Sequence, residues 1–596
     1  MKKYILGALS IFTLALSIFI INLVWFRPFS LDMFYERVFI EVVLQNPELI
    51  SVLGLPGSSF FSDELNDYSE GFKDDSLDQA KNNLAMLLAY DVDAMSDEQK
   101  RSRDILIWFY ENTIDADKFR HHLYSATQQK GVQQDLTDFM VGFHSVNKES
   151  DLEDYLSRLN QYPRIFSQVQ ESLLIEEKMD IIPPIFMIDK ILEGMTDIVE
   201  SPVEEDPLYA DFMQKLDRLE AIPESRRNEF KTRLLLVLNE KILPAYQGYI
   251  TYYTALREKS TDDDGAWKLP DGERYYQSRI RNYTTTDYSA EELHAIGLSE
   301  VERIETEMQA ILVEMGIEGM SVGQAMIRLA DDPRYFYPDT PAGRAQILAD
   351  YQTIIDEINA GVSVAFRRLP KAGVEVLAVP GFKEKTAAGG YYSSPAMDGS
   401  RPGRFYANLY DIKATQKFGM RTLAYHEAVP GHHFQIAIAQ ELEGLPTFRR
   451  VVPFASYVEG WALYAEQLAW ELGYQSDPMD NLGRLQAELF RAVRLVVDTG
   501  IHHKRWTREQ AIDYMREKTG NAESDVISEI ERYIADPGQA LAYKVGMLKI
   551  LELRKKAKAA LGESFDLSKF HDAVLAHGQV PMTILEQLID EYIAEE

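Results

Sequence analysis

From about residue 85 onward, apolar residues recur every three and four positions along most of the chain, clearly so at 229–243 and 344–367. That spacing gives a helix one apolar face. Helix-start signals agree with it. Ser289 followed by Glu292 reads as a capping box before a long amphipathic run, Thr340-Pro341 sets an N-cap before a first-turn proline, and Thr507 with Gln510 repeats the box ahead of 508–518. One stretch departs from the helical period. Within 373–410, GVEVLAVP, GGYYSSPAMDGSRPG and RFYANLYD alternate or cluster β-branched and aromatic residues between Gly/Pro turns, which predicts a small sheet. The predicted fold is therefore mainly α, a large multi-helix body with a small sheet just ahead of a histidine-rich segment. A loose break at 260–275 divides it into an N-terminal helical region, 31–270, and a region 271–596 that carries the histidines. No internal repeat is visible.

The N-terminus has a pattern of its own. After Lys2 and Lys3, the 23 residues Tyr4–Phe26 contain no charge, and as a helix they would span roughly 30 Å of hydrocarbon. The run ends in Val24-Trp25-Phe26-Arg27-Pro28 without a small-x-small cleavage site. The expectation is an uncleaved signal anchor over 1–30, a transmembrane helix with Trp25 and Phe26 at the interface and the body in the periplasm or outside the cell. Cleavage and secretion is the alternative.

Composition narrows the chemistry. In 596 residues, 46% hydrophobic and 26% charged, the net charge is −32, which repels phosphate backbones and argues against nucleic acid as a partner. There is no cysteine, so disulfides, thiolate ligands, a Cys nucleophile and a lipid-modified Cys are all unavailable, and any zinc must be held by His and carboxylate.

Of the 11 histidines, His426, His432, His433, His502 and His503 fall within 78 positions. His426-Glu427 followed by a further His is the arrangement in which two imidazoles hold a metal and the Glu activates water. The usual second His comes four residues after the first, whereas here Ala428-Val429-Pro430-Gly431 delays it to His432 or His433. In a regular helix the sixth residue points about 120° away and the seventh lies roughly 10 Å along the axis. Pro430-Gly431 predicts a break that lets the chain loop out and bring an imidazole back beside His426. His432 is preferred over His433. The alternative is a plain helix end. Within the helical pattern SYVEGWALYAEQLAWELG, Glu459 is flanked by large apolar residues that would bury it, so it is the expected third ligand, and Glu466 two turns on either orients a ligating imidazole or lies at the surface.

HEAVPGHHFQ with YVEGWALYAE resembles a large bacterial family of unknown function that is itself similar to mainly helical gluzincin metallopeptidases of the thermostable-carboxypeptidase and oligopeptidase kind. The likeness runs from about residue 80 to the end and takes in GGYYSSP, GSRPGRFYANL, RAVRLVVDTGIHHKRWT and PGQALAYKVG. It implies a metallopeptidase-like fold with 271–596 as the catalytic region. Zn2+ would be held by His426, His432 and Glu459, with Glu427 as general base and a peptide as substrate. For the oxyanion, it leaves His502 and Tyr543 as candidate catalytic donors. Arg494 is expected to pair with Asp498 one turn on or to bind a substrate carboxylate. GGYYSSP is expected either to dock an extended peptide or to form a plain hairpin. A zinc hydrolase of another amide or ester, and a membrane-anchored helical binding protein with a dead site, are the competing readings.

Overall fold

A computed structural model describes residues 2–54, 60–381, 384 and 387–596. The helix-start signals work where they stand. Ser289 caps Ala290–Glu314 and Thr507 caps Arg508–Thr519, each with both halves of the box formed, and the Thr340 side chain caps Pro341–Gly361. The apolar run at 229–243 is helical throughout but changes pitch: Glu224–Val237 is α, Leu238–Ile242 is π, and Leu243–Arg257 is α again.

The sheet expected within 373–410 is a three-stranded mixed one. β1 (Val374–Ala378), β2 (Gly390–Ser393) and β3 (Gly403–Ala407) lie in the order β1-β3-β2, with β1 parallel and β2 antiparallel to β3. Alternation along β3 decides its faces. Gly403, Phe405 and Ala407 are buried, while Tyr406 faces the other way and stacks on Tyr391 at 4.8 Å.

Two hydrophobic cores hold the helices. One gathers apolar side chains of 65–329 together with Phe418 and residues 482–545; the other gathers residues 31–110 with 347–592. Helix Lys417–Glu427 serves both, through Phe418 on one side and Met420, Ala424 and Tyr425 on the other. Helix Leu541–Leu561 does the same, with Leu541 and Val545 in the first core and Met547 and Ile550 in the second. His426, Glu427 and Tyr543 are carried by these bridging helices, and Glu459 by Ala455–Glu471, which packs against both.

The last packing is unusually close. A Cβ built on Gly460 of Ala455–Glu471 would overlap the backbone of Gly546 in Leu541–Leu561, and one on Gly546 would overlap the Ser456 carbonyl. Only residues without a side chain allow two helix backbones to approach this closely. The crossing fixes the positions of Glu459, beside Gly460, and Tyr543, one turn before Gly546.

At the N-terminus the apolar run is one helix, Lys2–Trp25. Arg37 holds its end by donating to the carbonyls of Leu23 (3.3 Å) and Phe26 (2.7 Å). The expected membrane span is not supported: among the described residues no helix is long and apolar enough to cross a membrane. Several side chains of this helix, among them those of 2–9, lie outside the described residues.

Candidate metal centre

Helix Lys417–Glu427 ends one residue after His426, and a new helix, His432–Glu441, starts five positions later. The four residues between, Ala428 to Gly431, turn the chain back. The Trp461 indole donates to the Pro430 carbonyl at 2.8 Å from a fully buried position. Gly431 packs so tightly against the His426 carbonyl that any Cβ would overlap it. The break expected at Pro430-Gly431 is thus present, and it brings the His432 ring to 4.8 Å from that of His426, at 85°.

His433 points elsewhere. Its Nδ1 meets the Tyr392 hydroxyl at 3.0 Å and its Nε2 meets the Ala372 carbonyl at 3.0 Å. Burial lowers its pKa to about 4, so it stays neutral and ties the sheet to the start of the second helix. Its signal in the sequence, adjacency to His432, does not say which way either ring turns.

His426, His432 and Glu459 each present one donor atom, and the three atoms lie within 4.8 Å of one another. His426 Nε2 is 3.7 Å and His432 Nε2 3.3 Å from Glu459 Oε2. Two ligands at about 2.0–2.1 Å from a tetrahedral ion stand roughly 3.3 Å apart, so these separations suit a shared metal. The carboxylate oxygen is buried and accepts no well-formed hydrogen bond, a costly state unless a cation takes it up. The donor set of two imidazoles and a carboxylate, with no sulfur, fits zinc and leaves a fourth position for water. Glu466 is buried and takes His426 Nδ1 at 2.8 Å, which leaves Nε2 to face the cluster.

The charges here are strongly coupled. Burial works against a charged His426, but Glu459 and Glu466 outweigh it and hold the pKa up, at about 9. Burial likewise works against ionised Glu459, and the two imidazoles pull it well below the usual carboxylate range. Glu427, at the end of the first helix and only 6% exposed, is raised by burial, which His426 and His432 oppose and Glu459 reinforces.

Tyr543 lies beside the cluster, its ring stacked on His426 at 6.4 Å, and burial raises its pKa. His502 does not join them. It is buried with Nδ1 accepting from the Ala266 amide (3.0 Å) and Nε2 facing the Tyr533 carbonyl (3.0 Å), so backbone occupies both nitrogens. The pairing expected between Arg494 and Asp498 is also replaced. Arg494 meets Glu529 at 3.0 Å and the Tyr533 hydroxyl at 2.8 Å, while Asp498 accepts from the Tyr276 hydroxyl at 2.6 Å and from the Gly538 amide. One group near the cluster went unread in the sequence: the charge of Arg491 acts on both His426 and Glu427. Its only signal is its place in RAVRLVVDTG, three residues before an arginine of similar appearance.

No curated protein matches the chain. Among solved structures it is similar to a candidate lipoprotein from Colwellia psychrerythraea, 36% identical with a TM-score of 0.92, over 95% of this chain and 99% of that one. A candidate lipoprotein of unknown function from Shewanella oneidensis is 17% identical with a TM-score of 0.70, over 94% and 99%, and shares the fold. PZ peptidase A with an inhibitor reaches only 13% identity and a TM-score of 0.36, over 86% and 93%, too remote to carry an argument. The chain belongs to the bacterial proteins of unknown function grouped as DUF885, whose family model matches residues 47–589.

Proposed function

We propose that this protein is a zinc-dependent peptidase. The observation that carries the reading is the convergence of His426 Nε2, His432 Nε2 and a Glu459 oxygen within 4.8 Å, with Glu427 next to His426 in the chain. When bound there, zinc polarises a carbonyl and lowers the pKa of water. The rest is done by the chain's own groups. Glu466 holds His426 by Nδ1 and so fixes which nitrogen faces inward. Glu427 accepts a proton from the attacking water and returns it to the leaving amine, and its partly apolar surroundings favour that exchange. The Tyr543 hydroxyl is the donor to a developing oxyanion in this reading, supported by its ring stacking on His426 at 6.4 Å.

A peptide suits the site better than other amides or esters because of the sheet. β2 is an edge strand, and its Tyr392 bonds to His433, the residue that follows His432. An extended chain pairing with that edge would be held beside the metal ligands. The test is cleavage of a peptide library, mapped by mass spectrometry, with zinc-replete wild type against Glu427→Gln. Cleavage by the first and little by the second is expected; no cleavage by zinc-replete wild type contradicts the reading. The helix Lys2–Trp25 then serves to attach this body to a lipid surface. The support is its exposed apolar side chains, among them Phe12, Leu14, Ile18 and Trp25.

A further inference from the structure

Helix Pro478–His502 packs along Lys417–Glu427, closely enough at Gly483 that a Cβ there would overlap the Phe418 carbonyl. It carries three arginines, and two are paired with carboxylates. Arg484 pairs with Glu488 at 3.1 Å and Asn481 at 2.9 Å, and Arg494 pairs with Glu529 and Tyr533 while covering the Tyr543 ring. Arg491 differs. Among the described residues its guanidinium donates to the Ala487 carbonyl at 3.3 Å and lies over the Phe490 ring at 5.5 Å, and its Nε is buried with no acceptor. Among the described residues no carboxylate pairs with it, although the chain holds 94 acidic side chains against 62 basic ones. It stands one turn before Arg494, whose guanidinium lies 4.4 Å over the Tyr543 ring that stacks on His426, and its charge reaches both His426 and Glu427.

A half-buried guanidinium without a counter-ion is costly, and its planar fork matches a carboxylate in two parallel hydrogen bonds. Of the carboxylates nearby, Glu459 faces His426 and His432 and Glu466 faces His426, while Glu427, buried at the end of its helix, is kept for the water's proton in the peptidase reading. The missing anion must then arrive with the ligand. We infer that Arg491 receives the free C-terminal carboxylate of the peptide, so that the protein removes residues from C-termini. In each turnover water divides across the last peptide bond, its hydroxyl going to the shortened chain and its proton to the departing amino acid. In a molecule of net charge −32, a local cation is also what allows an anionic chain end to approach.

The inference rests on the peptidase reading, and one of its tests does not need the metal. Penta-alanine as free acid and as C-terminal amide is titrated into chelator-treated full-length protein. Wild type should bind the acid at least roughly tenfold more tightly than the amide, the value of a charge-assisted pair. Arg491→Met should bind the two alike, and Arg491→Lys should keep part of the preference. With zinc restored, wild type should shorten the acid one residue at a time and leave the amide intact, while Arg491→Met retains full zinc content. Equal binding of acid and amide by wild type, no measurable binding of either, a preference that survives Arg491→Met, or internal cleavage of the amide at the rate of the acid would each overturn the inference. Absence of zinc or of any cleavage would instead count against the peptidase reading, and leaves the binding comparison to be judged by itself.

Discussion

Glu427 is buried at a helix end, and among the described residues its carboxylate makes no ion pair that glutamine would break. Glu427→Gln should therefore keep zinc and fold while turnover falls by at least roughly 10²-fold, the lower end of what general base catalysis contributes. Turnover near that of wild type at neutral pH would show that the proton goes elsewhere. The neighbouring histidines divide as sharply. His432→Ala should lose the metal, whereas His433→Ala should keep it and lose stability through its bonds to Tyr392 and Ala372; metal analysis of the two variants decides. His502 makes a different prediction. Its Nδ1 accepts from an amide, so a second ring proton would face another donor, and burial depresses its pKa to about 4. A depressed imidazole contributes stability that is present above the unfolded value of 6.5 and lost as pH falls toward 4. About 3 kcal/mol is at stake over that window. Chemical denaturation of wild type should weaken across it, and His502→Gln should be less stable at pH 7 but show a shallower slope. Parallel slopes would mean that His502 does not titrate as its bonds require.

At the scale of elements, much of the arrangement was legible because it depends on local rules. Capping boxes at Ser289 and Thr507 start helices whatever lies around them, and the Gly/Pro turns of 373–410 mark off strands. The Pro430-Gly431 break was legible for the same reason, and with it the return of His432 to His426. What was hidden depends on which way a helix is turned in the assembled molecule. Residues 492–502 are buried all round their helix, so periodicity does not separate the face that meets Ala266 and Tyr533 from the face toward His426 and Glu427. The backbone bonds of His502 and the Glu529 partner of Arg494 are not legible there, and neither is Arg491. The crossing of Gly460 over Gly546 is equally invisible in sequence, since each is one glycine in a helical pattern. It is nonetheless what sets Glu459 and Tyr543 in place. Gly460→Ala should cost about 1–3 kcal/mol by forcing the helices apart and should weaken zinc binding. Gly419→Ala, on the His426 helix where no atom lies near the added methyl, should cost nothing and leave zinc affinity unchanged. Equal effects of the two would remove the crossing from the account.

The whole molecule is two cores joined by helices that also carry the chemistry, so metal binding and global stability should be linked. The proposed attachment to lipid is a separate matter, assigned to the N-terminal helix: the full chain should sediment with membranes, and a chain beginning near residue 30 should not. A truncated chain that still sediments would place the attachment in the body. The central claim is the metal centre itself, and metal content tests it most directly. Zinc-replete protein, dialysed and measured by elemental analysis, should hold one zinc per chain. His426→Ala and Glu459→Ala, folded by circular dichroism, should each hold less than about a tenth of that, since loss of one of three ligands removes most of the affinity. Wild type without stoichiometric zinc, or either variant with a full complement, would contradict it.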